Sequence, residues 1–360
     1  MFDCSDDLLA FQKANVALPK AERDNMRERR NANRKRLKDG LAKAALAAPW
    51  EHASQGSYAM WTMVQLPDGD HDIDDGVYFL RVDLKGAQGA DMTALAARQM
   101  VRDAIDDGSF AKKPEVRKNC VRIYYKEGYH VDVPVYRVTV ETDAFGKETY
   151  LYELASSDWK KSDARDVTGW FNGKNKDRSP DYDTSEGQMR RVVRYIKFYV
   201  KSRSSWTGIL SGFGITKLVT EKYWANADRE DVALYETMKA IRDRLEYDLV
   251  VKHPIPGNDD ITKGTDDARA RKLKEKLDDA LATLKPLFDY NCTREAALGC
   301  WDKVFATTFF SDRVEKAAAA ASVTPALGAA RVLTAGLLSV AAAEAAERGA
   351  VQKDGGKRYA

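Results

Sequence analysis

Residues 72–78 read Asp-Ile-Asp-Asp-Gly-Val-Tyr, and residues 130–136 read His-Val-Asp-Val-Pro-Val-Tyr. Both stretches carry the alternation and β-branched residues of a half-buried strand. In a strand, residues two apart point to the same side. Asp72 and Asp74 therefore converge on one point. Asp132 repeats the arrangement, with Val131, Val133 and Val135 on the opposite face. Carboxylates gathered in this way repel one another unless a cation neutralises them. Magnesium suits such hard oxygen donors and takes further ligands from water and substrate phosphates. Three carboxylates on neighbouring strands can hold two metal ions for in-line phosphoryl transfer.

Working outward, residues 55–57 read Gln-Gly-Ser. Glycine lets a backbone approach closely, and a Gly-Ser ahead of a helix start sets N–H groups and a hydroxyl at a phosphate-binding position. Alone, that dipeptide is ordinarily a turn with a helix cap, and a lone Asp-x-Asp is ordinarily a pair of exposed acids. The order is what carries meaning: Gly-Ser, then Asp-x-Asp at a strand start, then a third carboxylate on a strand. It is the order found in polymerase-β-like nucleotidyltransferases.

The surroundings divide in two. Residues 20–47 read as one long basic helix, with Leu37, Leu41, Ala44 and Ala45 as a buried stripe and the cations on a solvated face. Residues 74–82, 121–126, 130–142 and 149–155 read as strands, with a helix over 92–106, which makes an α/β or α+β unit. From about residue 164 the pattern turns helical: 187–201, 215–225, 229–247, 265–284, 294–305 and 312–321, interrupted by a Gly/Pro/Asp-rich loop at 253–264. The tail from residue 352 is polar and is expected to be disordered.

Composition excludes several classes. A chain of 360 residues, 44% hydrophobic and 31% charged, is that of a soluble globular protein. With 58 basic and 55 acidic residues the net charge is +3, so nothing in the whole-molecule balance announces nucleic-acid binding. The four cysteines form no C-x-x-C pair and the four histidines lack zinc-ligand spacing, as for free thiols in a reducing cytoplasm. The first seven residues hold three acids and no base, unlike a signal peptide. The apolar run 332–343 is too short to span a bilayer. A cytoplasmic location with no membrane contact is expected.

Taken together, the ordered segments resemble the cGAS/DncV-like nucleotidyltransferases (CD-NTases) of bacterial anti-phage signalling systems (CBASS). Gln55-Gly56-Ser57-Tyr58 resembles the family's Q-G-S-aromatic, and residues 72–78 its D-I-D-D-G-x-Y strand. Cys120-Val121-Arg122-Ile123 and residues 130–136 resemble its C-x-R-I and H-I-D-V-P-x-Y strands. Residues 159–163 and Trp170-Phe171 resemble the segment that enters the helical lobe. Arg194-Tyr195-Ile196-Lys197 resembles its R-[FY]-x-K helix. The resemblance covers roughly residues 20–310.

It implies an α+β fold: a polymerase-β-like lobe with a mixed twisted sheet (residues 1–165), a helical lobe (166–345) and a flexible tail (346–360). It implies a catalytic and metal-binding set of Asp72, Asp74 and Asp132, holding two Mg²⁺ or Mn²⁺ ions. It implies nucleotide binding by Gln55, Gly56, Ser57, Arg122, Lys197 and Ser211. The family's serine ahead of the helix that follows the lysine helix is replaced by Gly214, leaving Ser211 or Thr216 for that role. ATP and GTP are the expected substrates of a monomeric enzyme and cyclic GMP-AMP the expected product, with pyrophosphate released and no nucleic acid required. The resemblance also allows the tail to be engaged by a CBASS accessory enzyme, the other reading being an ordinary frayed terminus. The alternatives are a cyclic trinucleotide, another cyclic dinucleotide, or terminal RNA nucleotidyl transfer using the basic run 23–43. A catalytically dead scaffold is disfavoured, because it gains nothing from three repelling carboxylates.

Overall fold

The protein is described here by a computed structural model over residues 1–65, 72–86, 88–126 and 128–314. In chain order it runs through α1 (Ser5–Phe11), α2 (Lys20–Lys43), β1 (Glu51–Gln55), α3 (Gly56–Ala59), β2 (Asp72–Leu80) and α4 (Ala94–Ile105). Then come β3 (Glu115–Val116), β4 (Val121–Tyr124), β5 (His130–Val133), β6 (Val135–Thr142), β7 (Glu148–Ala155) and β8 (Trp159–Lys161). The helices α5 (Ala164–Arg178), α6 (Gln188–Lys201), α7 (Gly212–Lys222), α8 (Glu230–Tyr247), α9 (Ala268–Leu284) and α10 (Arg294–Phe305) follow.

The sheet is mixed. β2 lies antiparallel to β1 and parallel to both β5 and β6. β4 and β7 add antiparallel strands, and β3 and β8 extend them. Residues 130–142 read as one strand, but Pro134 divides it, because proline has no N–H to give the ladder. Its carbonyl still accepts from Val77 N at 2.9 Å, and the register against β2 continues past it.

The two faces of β2 have different work. Ile73 and Val77 pack with Leu37 and Leu41 of α2 and Ala97 and Val101 of α4. Gly40 lets α2 and α4 cross closely: a Cβ there would fall on the Ala104 backbone. The expected stripe on α2 is shorter than the sequence suggests, because the helix stops at Lys43 and leaves Ala44 and Ala45 exposed. On the other face of β2, Tyr78 stacks on Tyr136 of β6 at 4.5 Å between centroids.

The first residues do not join the sheet. Cys4 N and Ser5 Oγ donate to Asp231 of α8, and Tyr195 of α6 donates to the Leu8 carbonyl. Phe11 packs against Phe198, Phe305, Phe309 and Phe310. A division placing residues 1–165 in one sheet lobe is therefore corrected at its start: the N-terminal segment packs among the helices, since its apolar side chains find their partners there. The tail 346–360, the apolar run 332–343 and most of the expected helix 312–321 lie outside the described residues. No described helix is long and apolar enough to cross a membrane.

Candidate active site

A cleft of about 620 Å³ opens between the sheet and the helices. Gly56, Ser57, Asp72 and Asp74 line one side, and Lys197 and Gly212 the other.

The acidic side follows from strand register. Gln55 pairs with Asp74 across β1 and β2, and Asp74 pairs with Asp132 across β2 and β5. Gly56 follows Gln55 with φ +63°, a left-handed conformation natural to glycine. A Cβ at position 56 would stand 2.3 Å from Asp74 Oδ2, so no side chain fits between the Gly-Ser turn and this carboxylate. Burial first, then the charges on Asp132 and Asp72, push the Asp74 carboxyl up to about 7. Burial works in the same direction on Asp72, but the His130 ring, with Nε2 2.8 Å from Asp72 Oδ1, outweighs it and holds Asp72 below the ordinary carboxylate range.

Asp132 is engaged otherwise. Arg122 pairs with it directly across β4 and β5 and donates to both of its oxygens, Nε and Nη2 each at 2.7 Å. Arg122 is committed to a carboxylate where a phosphate-binding role is implied. As placed, no three His, Cys, Asp or Glu side chains among the described residues already stand grouped around one ion position. Three strands bring the carboxylates side by side, with the Arg122 guanidinium against the third. The donor chemistry fits a hard divalent cation: oxygen ligands only, with one carboxyl raised by its like-charged neighbours. Asp72 and Asp74 would hold such an ion, and Asp132 would join them by giving up Arg122.

Gln55 lies on the cleft wall with its amide spent on the protein. It donates to Tyr78 Oη at 2.9 Å and accepts from Tyr136 Oη at 3.1 Å. Tyr78 in turn donates to Asp163, whose carboxylate caps α5 at Arg165 N. Gly76 makes room for the Gln55 amide, since a Cβ there would lie 2.1 Å from Nε2. The Gln55 side chain thus links the Gly-Ser turn to the first helix of the helical region. Tyr58 is also turned from the cleft, its ring covered by Arg23 at 4.6 Å and Arg30 at 5.8 Å. Asp75, on the opposite face to Asp74, pairs with Arg34 of α2 at 2.5 Å. Trp61 is half exposed, at 53%.

The basic side is built by α6 and α7. Lys197 is buried, and its ammonium donates to the Thr62 hydroxyl at 3.0 Å and the Thr62 carbonyl at 3.3 Å. Burial, with the Lys201 and Arg194 charges nearby, brings it down to about 7. Lys201, one turn later, also faces the cleft. A side pocket of about 200 Å³ joins Lys197 and Lys201 to Ser211 and Gly212. Ser211 caps α7, accepting from Gly214 N at 3.2 Å. Thr216 is fully buried and donates its hydroxyl to the Gly212 carbonyl, so of the two alternatives Ser211 is the one beside the lysines. Sequence reasoning passes over Lys201, Thr62 and Asp163. Lys201 carries a signal, being four residues beyond Lys197 on one helix face, and so does Asp163, an Asp just ahead of a helix. Thr62 carries none.

Residues 51–136 match the family described as "Cyclic GMP-AMP synthase DncV-like, nucleotidyltransferase domain". Among solved structures, the Vibrio cholerae di-nucleotide cyclase DncV in complex with GTP and 5MTHFGLU2 is similar at a TM-score of 0.65 and 16% identity, over 84% of this chain and 96% of that one. Escherichia coli DncV in its 3′-deoxy GTP bound form gives 0.63 and 17%, over 82% and 94%. Vibrio cholerae DncV cyclic AMP-GMP synthase in complex with nonhydrolyzable GTP gives 0.63 and 17%, over 85% and 96%. At these identities the likeness establishes the fold. The matched segment holds Gly56, Ser57 and all three aspartates, and with it the chain carries a DncV-like nucleotidyltransferase domain.

Proposed function

We propose that the protein is a cyclic dinucleotide synthase that joins ATP and GTP into cyclic GMP-AMP, releases pyrophosphate, and acts in anti-phage signalling. The observation that carries this reading is the two-sided cleft: converging carboxylates on the sheet, and opposite them a buried lysine that no carboxylate accompanies among the described residues. A triphosphate complexed with a divalent cation complements both sides, cation to acids and phosphates to lysine. The DncV structures that share the fold are of a cyclic AMP-GMP synthase and include complexes with GTP and with ATP.

Gly56 and Ser57 offer a close backbone and a hydroxyl to one triphosphate, while Lys197, Lys201 and Ser211 take its outer phosphates. Asp72, Asp74 and Asp132 would hold Mg²⁺ or Mn²⁺, which when bound supplies positive charge against the reacting phosphate and the departing pyrophosphate. The hydroxyl of one nucleotide is oriented at this acidic edge toward the α-phosphorus of the other. A new P–O ester bond forms, the bond to pyrophosphate breaks, and the hydroxyl proton passes to solvent. A second such transfer closes the ring, with a second pyrophosphate released.

The test is incubation with all four triphosphates and Mg²⁺ or Mn²⁺, then mass spectrometry of phosphatase-resistant products. A cyclic GMP-AMP mass is expected. A trinucleotide mass, another base pair, or extension of an added RNA would replace this reading by the corresponding alternative. For the cellular role, the wild-type chain with its neighbouring genes should protect a host from phage, and the Asp72→Asn/Asp74→Asn variant should not.

A further inference from the structure

Lys197 projects from α6 into a narrow slot. On one side is Gly212, where a Cβ would sit 3.4 Å from the Lys197 Cε. On the other is Thr62, fully buried, whose hydroxyl and carbonyl are the two acceptors within reach of the ammonium among the described residues. An ammonium has three donors. Two are spent on Thr62, and the residue as a whole lines the cleft.

Thr62 is itself held in place. The preceding Trp61 has φ +57°, a conformation few residues other than glycine adopt and one that persists only when neighbours enforce it. Arg194, one turn before Lys197 on α6, donates to the Trp61 carbonyl at 3.1 Å and is anchored in turn by Glu186. The Arg23 guanidinium stacks on the Trp61 ring at 3.8 Å. Two successive residues, 61 and 62, are thus gripped by two cations one turn apart on the same helix.

We propose that Thr62 is the positioning residue of Lys197: its hydroxyl holds the ammonium in the cleft wall, aimed at the phosphates of the incoming nucleotide. A lysine on a four-carbon stem is otherwise a mobile point charge. The carbonyl at position 62 would remain in any variant, so the hydroxyl is the part that the choice of threonine adds. This rests on the triphosphate reading of the cleft, and the experiment separates the two.

Binding of ATP, and of inorganic tripolyphosphate as a base-free probe, is measured by calorimetry on the full chain for Thr62→Val, Thr62→Ser and Lys197→Ala. Lys197→Ala is expected to weaken both probes at least about tenfold, and Thr62→Val about three- to tenfold, the scale of one ordinary hydrogen bond, because the ammonium itself remains and only its positioning is lost. Thr62→Ser should stay within about twofold of wild type, because it keeps the hydroxyl. In turnover, Thr62→Val should raise KM by the same factor as its binding loss and leave kcat nearly unchanged. Thr62→Ala, which also lacks the hydroxyl, serves if Thr62→Val does not fold. Wild-type binding by the valine or alanine variant, beside a weakened Lys197→Ala, would overturn the positioning role. So would equal losses in the serine and valine variants, which would make the residue a packing element. Wild-type binding by Lys197→Ala would instead overturn the triphosphate reading of the cleft.

Discussion

The two sides of the cleft are charged in opposite senses and strained in opposite ways. On the sheet side, Asp74 suffers from company: burial beside Asp132 and Asp72 pushes it up to about 7. On the helical side, Lys197 suffers from isolation: burial with further cations nearby brings it down to about 7. In both places the protein keeps a charge it would fold more easily without. Elsewhere it treats buried charges differently. Arg191 is equally sequestered on α6, yet it pairs with Glu230 and Asp181, both at 2.7 Å. Asp231 accepts from Arg229, Ser5 and the Cys4 amide. Ion pairs complete without a ligand belong to the scaffold; the cleft holds the incomplete ones.

The most severe way to break the acidic side is Asp72→Asn with Asp74→Asn. Product formation should fall at least about a hundredfold, the scale of losing a principal charge-stabilising group. Asp74→Asn alone in metal-free buffer should melt no lower than wild type, because its repulsion from Asp132 and Asp72 is removed. Wild-type product levels from the double variant, read by mass spectrometry, would break the assignment. On the basic side, Lys197→Met should cost triphosphate binding about 1.5–3 kcal/mol, the value of a charge-assisted contact, and raise the melting temperature of the unliganded protein. A lowered melting temperature would show that the hydrogen bonds to Thr62 outweigh the cost of burying the ammonium.

The comparison sharpens with pH. The Asp74 pKa lies above its unfolded value, so its contribution to stability is present below about pH 4 and is lost as pH rises through about 7. The Lys197 pKa lies below its unfolded value of 10.5, so its contribution is present above that pH and is lost as pH falls through about 7. Chemical denaturation of metal-free protein should therefore show Asp74→Asn gaining more over wild type at pH 8 than at pH 5.5, and Lys197→Met gaining more at pH 6 than at pH 9. The reverse order in either variant would reassign its strain. The smallest effect belongs to Ser57→Ala, about 1 kcal/mol in triphosphate binding for one neutral hydrogen bond. A loss larger than that of Lys197→Met would mean that the phosphates lie along the Gly-Ser turn rather than against α6.

What the sequence disclosed follows a physical line. β2 and β5 are legible because their side chains alternate, and alternation survives without knowledge of partners. β1 is not: Glu-His-Ala-Ser-Gln lacks β-branched residues, and it is a strand because β2 supplies its hydrogen bonds. The convergence of Asp72 and Asp74 can be read from spacing, since both belong to one strand. The capture of Asp132 by Arg122 cannot, since it depends on which residues two strands bring opposite each other. Lys197 is legible as a residue from the motif around it, but its lack of a carboxylate partner appears only once two distant segments close around it. The placement of residues 1–16 among the helices has the same cause: a short apolar segment does not announce which half of the molecule it will complete.

Gly56 has a consequence best put in terms of handedness. An L-side chain there collides with Asp74 and is also disfavoured at φ +63°. A D-residue adopts positive φ readily and projects its Cβ from the other side of the same backbone. Semisynthesis with D-alanine at position 56 should therefore preserve triphosphate binding where L-alanine destroys it, and equal loss in both would mean that bulk on either side is barred. The restriction at this position would then be one of stereochemistry. The twenty encoded residues offer only one way to meet it: the residue with no side chain to point.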